Sequence, residues 1–186
     1  MKLLRMLAVT GLILAGATQA APMDLDAKDF WQTPAIQGYG PMHPLPDAAY
    51  QPQKGQTYKI LFLIEEASDK PGDINRSLEA VARAINVFAS AGVPAEHLKI
   101  VTLVSGPATA LVLDDAHYKA QLGVANPNIE LIHRLHAAGV DFAVCGQAAL
   151  KKHFQFDWIN PEIKPALSAM STEIVLQAQG YVLVTL

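Results

Sequence analysis

The amino-acid sequence predicts an α/β fold: a mainly parallel sheet of about five strands covered by helices on both faces. Three observations predict it. Short runs that are apolar at nearly every position, such as 58–64 and 98–104, alternate with stretches whose apolar residues recur every three or four positions. This strand–helix alternation repeats about four times along the chain, and strands buried on both faces belong to parallel sheets. Of 186 residues, 51% are hydrophobic and 17% charged, which is enough for one sizeable core and too apolar for a disordered chain.

The first strand covers 58–64. A helix is expected to open at Gly72 and Asp73, with Ile74, Leu78, Val81, Ala82, Ile85 and Phe88 on one apolar face; Gly92 stops it, with Pro94 just beyond. The second strand covers 98–104. Ser105, Gly106 and Pro107 form a turn, followed by a short mixed segment through 111–113. Asn126 as N-cap and Pro127 at the first helical position begin the next helix. Its buried stripe is Ile129, Ile132, Leu135 and His136, and Gly139 ends it. A third strand, 140–144, runs directly into Cys145, Gly146 and Gln147, and a short helix follows over about 148–153. The fourth strand is read at 165–170. Ser171 or Thr172 caps a helix through Gln179, Gly180 closes it, and 181–186 is the last strand.

The N-terminal part is organised differently. Residues 1–20 read as a secretory signal peptide. Lys2 and Arg5 supply the positive end, 7–17 are a short apolar run, and Thr18 and Ala20 are the small residues of a cleavage site after Ala20. The run is shorter than the ~20 apolar residues of a spanning helix, so no membrane attachment is expected after cleavage. The address is the periplasm or the exterior. Residues 21–57 form a proline-rich arm: Pro22, Pro34, Pro41, Pro44, Pro46 and Pro52 are half of the twelve prolines. Phe30, Trp31, Ile36, Tyr39 and Tyr50 are too apolar for a free linker, so the arm is read as lying on its own domain or a neighbouring subunit, or as a partly ordered leader. The domain proper is 58–186.

Lys plus Arg number 14 and Asp plus Glu 17, a formal charge of −3. Without Lys2 and Arg5 the mature chain is more acidic still. With no basic cluster, nucleic-acid binding is excluded from the reading. The single cysteine, Cys145, rules out an internal disulfide; it is either buried and inert or a free reactive thiol.

In a parallel sheet all carboxyl ends lie on one edge, where ligands bind. Three segments are expected to converge there: 65–68 after the first strand, 105–107 after the second and 145–147 after the third. Cys145 sits at a strand-to-helix junction, where helix N–H groups and dipole favour thiolate, the nucleophilic form. Gly146 would admit a substrate close to the backbone, and Gln147 would donate a hydrogen bond. Glu65, Ser105, Gly106 and Asn126 complete the candidate substrate site. Glu65 and Glu66 would serve as acid and base or simply end a strand in solvent. Lys151 and Lys152 would hold an anionic sulfur species or form a solvated helix end. His133 and His136 lack a matching second pair of ligands, so no metal site is expected. No phosphate-binding glycine loop, dinucleotide fingerprint or serine-hydrolase elbow occurs, and no cofactor is expected.

Taken together, Asn126-Pro127-Asn128, Ala138-Gly139-Val140 and Val144-Cys145-Gly146-Gln147-Ala148 resemble the DsrE/DsrF-like family, and the ending Gln177-Ala178-Gln179-Gly180-Tyr181 resembles its exported branch. The resemblance covers about 58–186. It implies a three-layer α/β/α domain that assembles into trimers or hexamers. It also implies sulfur relay, with a persulfide carried on the cysteine that ends a central strand, here Cys145. A sulfane-sulfur donor and a thiol acceptor would be the partners. Relay members work in the cytoplasm with dedicated partners, whereas this chain carries an export signal. The alternative is a non-catalytic oligomeric binding or scaffold protein of the same fold, with a structural cysteine; a small-molecule site at the strand edge is a third reading.

Overall fold

The computed structural model describes residues 24–186; the expected signal peptide and its cleavage site lie outside the described residues. Five strands, β1 (Tyr58–Ile64), β2 (Leu98–Val104), β3 (Asp141–Cys145), β4 (Ile163–Ala166) and β5 (Val182–Thr185), form one sheet in the order β4-β3-β2-β1-β5. Every pairing is parallel. The helices are α1 (Arg76–Ser90), α2 (Asp115–Leu122), α3 (Ile129–Ala137), α4 (Gly146–Lys151) and α5 (Ala169–Ala178), and a 3₁₀ segment spans Gly106–Val112. Among the described residues no helix is long and apolar enough to cross a membrane.

The side-chain alternation of the strands divides the core into two layers. Phe62, Ile64, Ile100, Val104, Phe142, Val144 and Ile163 face α1 and α3, whose Leu78, Val81, Ile85, Leu131, Ile132 and Leu135 complete the larger core. Leu61, Leu63, Val101 and Leu103 face the other way, against Ala169 and Leu176 of α5. This second layer is thin: α5 has no buried residue, and it leaves Met170, Ile174 and Val175 exposed, with Leu167 just before it.

Several boundaries differ from expectation for local reasons. α1 begins at Arg76 because the Asn75 side chain caps it, accepting from Leu78 N at 3.1 Å. α3 begins at Ile129, two residues later than Asn126 and Pro127 imply. Asn128 takes the cap position, and Asn126 Oδ1 instead accepts from Asn128 N at 3.0 Å. Leu131 takes the buried place expected of His136, which is exposed. β4 ends at Ala166, because Ser168 accepts from Ser171 N at 3.0 Å and starts α5, so Met170 is helical. α2 had no apolar period to announce it. It buries only Tyr118 and is started by Asp114, whose side chain accepts from His117 N at 2.8 Å.

From Trp31 onward the proline-rich arm belongs to the same compact unit as the sheet. Residues 24–30, counted apart from it, form turns closed by the Phe30 N–H to Ala27 O bond of 2.9 Å. The arm docks on α1 through Asn86, which is fully buried. Asn86 Oδ1 accepts from Ala35 N at 2.9 Å and Ile36 N at 2.8 Å, and its Nδ2 donates to the carbonyls of Tyr39 and Gly40, both at 2.9 Å. Ile36 inserts into the larger core. Gly40, at φ 56°, lies so close to the backbone of Ala82 and Arg83 that a β-carbon would collide with it.

Candidate functional site

The register sets the site. β1, β2 and β3 pair in line, with Ile64 beside Val104 and Val104 beside Val144. The next residue on each strand, Glu65, Ser105 and Cys145, therefore falls at one level on the carboxyl edge. Cys145 itself pairs with Ala166 of β4. Ser105 N extends the ladder to Ile64 O at 2.9 Å, and Ala108 N bonds Glu65 O at 3.0 Å. Gly106, at φ 56°, lies against Glu65. Of the three residues on that level Glu65 is exposed, whereas Ser105 and Cys145 are buried at 7% and 5% exposure.

Cys145 is the last residue of β3 and the N-cap of α4. By alternation its side chain shares a face with Leu63 and Leu103, the α5 face. The Ala169 N–H, at the first residue of α5, donates to Cys145 Sγ at 3.2 Å. The sulfur thus sits at the amino end of α5 as well as of α4. The sulfur is thereby the acceptor of a backbone hydrogen bond from α5. Gln147 Nε2 donates to Leu167 O at 3.2 Å, so two residues of the Cys145 segment hold the chain that enters α5. Residues 167 and 169 are thus tied to the Cys145 segment.

Two candidate residues, Gly146 and Asn126, are closely packed. At Gly146 a β-carbon would lie 2.7 Å from Ala166 O, so β4 packs closely against it. Asn126 is 6% exposed and its amide is fully engaged. Its Nδ2 donates to Leu111 O at 3.0 Å and Leu113 O at 2.7 Å, while its Oδ1 receives Asn128.

The loops expected to converge do so only in part. Residues 67, 68 and 107 open onto a cavity of about 400 Å³ that also touches Tyr118, Lys152 and Phe154 and does not reach Cys145. His133 and His136 are both exposed. His133 bonds Glu162 at 2.8 Å, and that carboxylate raises its pKa above the ordinary value. Among the described residues no group of three or more His, Cys, Asp or Glu is placed to hold a metal.

Sequence reasoning missed Ser168 and Ala169. The signal was a serine at the helix cap, Ser168, three residues before Ser171; the adjacent apolar run 165–170 hid it. It also missed the Asp114 and His117 pair. His117 Nδ1 lies 2.8 Å from both Asp114 oxygens, and its ring stacks on Trp158 at 4.8 Å.

Comparison with known proteins agrees with the fold. Residues 58–186 match the model of the DsrE/DsrF-like family. Among curated proteins none matches. A solved structure, the protein of unknown function MTH1491 from Methanobacterium thermoautotrophicum, is similar with a TM-score of 0.55 and 16% identity. The similarity covers 69% of this chain and 99% of that one. At that identity the likeness concerns the fold alone. The family match spans most of the chain and includes every strand of the sheet and Cys145: the chain belongs to the DsrE/DsrF-like family.

Proposed function

We propose that the protein is an exported sulfur carrier that holds sulfane sulfur as a persulfide on Cys145 and hands it to an acceptor thiol. The observation that carries the reading is the Ala169 N–H held 3.2 Å from Cys145 Sγ, at the end of a central strand. Membership of a family of sulfur-relay proteins supports it. In the first step the Cys145 thiolate attacks the sulfane sulfur of the donor. The new S–S bond forms as the donor's own S–S bond breaks, and the leaving group departs with the electron pair, as sulfite when the donor is thiosulfate. In the second step an acceptor thiolate attacks the outer sulfur and Cys145 leaves as thiolate. Both steps are redox-neutral, so one cysteine suffices. Access to Sγ requires the 167–169 segment to swing aside. The shallow packing of α5 makes that opening inexpensive in free energy.

Export rests on residues 1–20, with cleavage after Ala20. Assembly into a homo-oligomer accords with Leu167, Met170 and Ile174, which expose 76%, 73% and 62% of their surface on the α5 side. The second reading, a scaffold with a structural thiol, is favoured by the burial of Cys145. Alkylation separates the two. A carrier's thiol reacts in the folded protein by opening of 167–169. A structural thiol reacts only on global unfolding.

A further inference from the structure

We propose that the cavity at the carboxyl edge of the sheet is a second site, separate from Cys145, that binds a compact organic anion with an apolar body, of the aryl or short-chain carboxylate class, with Lys152 as its counter-ion. The cavity measures about 400 Å³, within the range of small-molecule sites, roughly 300–1,000 Å³. Its walls are apolar and come from separate segments: Pro107 and Leu111 from the 3₁₀ segment, Tyr118 from α2, and Phe154 beyond α4. Ala108 and Leu111 belong to the core layers on the α1 side, whereas Cys145 Sγ is held on the α5 side.

The cavity is built rather than incidental. The Tyr118 hydroxyl donates to Pro71 O at 2.7 Å, tying α2 to the loop before α1, and burial pushes its pKa up, so it stays neutral. Asn75, a buried lining residue, is held in place by three bonds: its N–H donates to Asn128 Oδ1 at 2.8 Å, its Nδ2 to Glu66 O at 2.8 Å, and its Oδ1 caps α1. The Asn75 side chain is thereby fixed, and the mainly apolar lining around it suits an apolar body. His153 adopts the left-handed conformation, φ 60°, uncommon for a residue other than glycine. That turn buries Phe154, whose N–H returns to Ala149 O at 3.0 Å, and leaves Lys152 at the rim.

Charge then selects the ligand. Lys152 is the only charged residue lining the cavity, and among the described residues it has no ion-pair partner. Ser68 and Gln121 at the rim add uncharged hydrogen-bonding groups. A cation over an apolar chamber matches a carboxylate joined to a small ring or short chain.

The test titrates the whole protein with 3-phenylpropionate and with neutral 3-phenylpropanol, following amide chemical shifts. Saturable binding of both is expected, with the carboxylate tighter by up to about fivefold, the range of an exposed ion pair. Lys152→Ala should remove that preference, and high salt should shrink it. Ala67→Phe, at an exposed position on the cavity wall, should block both probes while leaving the near-UV circular dichroism unchanged. Absence of saturation, an unchanged preference in Lys152→Ala, or unchanged binding in a folded Ala67→Phe protein would overturn the proposal. Cys145→Ser should bind as wild type, so the result is independent of the persulfide reading.

Discussion

Cys145 and Ala169, 24 residues apart, are joined by a hydrogen bond in which the backbone of a helix start donates to a strand-end sulfur. The contact unites two elements that the sequence leaves unrelated. It also places the thiol against the first turn of α5, so in the proposed carrier access to Cys145 is linked to the stability of that turn.

The first prediction follows from that link. Ser168 is the cap of α5, and Ser168→Ala removes the acceptor for Ser171 N. Loss of a cap costs about 0.5–2 kcal/mol, so the opened state should gain roughly two- to thirtyfold in population. Alkylation of Cys145 under native conditions should accelerate by that factor, and the free energy of global unfolding should fall by no more than the same range of about 0.5–2 kcal/mol. An unchanged rate would mean that the turn does not gate the thiol.

Much of this was legible from the chain. The first two strands are apolar at nearly every position and could be bounded to the residue. The face of α1 repeats at helical spacing from Leu78 to Ile85. α2 was not legible, because one buried residue in eight makes no period. Cys145 stood out as the sole thiol at a strand end, but its partner did not, since a hydrogen bond from Ala169 depends on where α5 starts. Asn126 misled for a related reason: an asparagine before a proline reads as a cap, whereas its amide here serves the carbonyls of Leu111 and Leu113.

The docking of the arm rests on Asn86. Asn86→Ala leaves four backbone groups of residues 35–40 without partners, at a cost of about 2–5 kcal/mol. Chemical denaturation should read that loss, and limited proteolysis should cut within 33–42 in the variant and not in the wild type.

Thr102 sits at the centre of β2 among Phe62 and Phe142, fully buried, with a hydroxyl that has no hydrogen-bond partner. Thr102→Val keeps the shape and removes the orphaned group. The variant should be more stable by about 1 kcal/mol in denaturant titration.

Asp114 starts α2, and its pKa is lowered: burial opposes ionisation, but the hydrogen bonds from His117 and its charge outweigh that. A depressed carboxylate stabilises the fold above its unfolded value of 3.8 and loses that contribution as pH falls through the folded value below it. Amide exchange in α2 should therefore rise, beyond its intrinsic pH dependence, below pH 3.8 in the wild type. In Asp114→Asn, which keeps a cap but has no charge, that added rise should be absent. Because α2 carries Tyr118 and Gln121, binding of the uncharged probe 3-phenylpropanol should weaken over the same interval.

The most direct measurement is the intact mass of the mature protein after incubation with thiosulfate or polysulfide, beside Cys145→Ser. The account predicts a gain of one or more sulfur atoms on the wild type, removed by reductant and absent from the variant. No adduct, together with a Cys145 that resists alkylation until the protein unfolds, would contradict it.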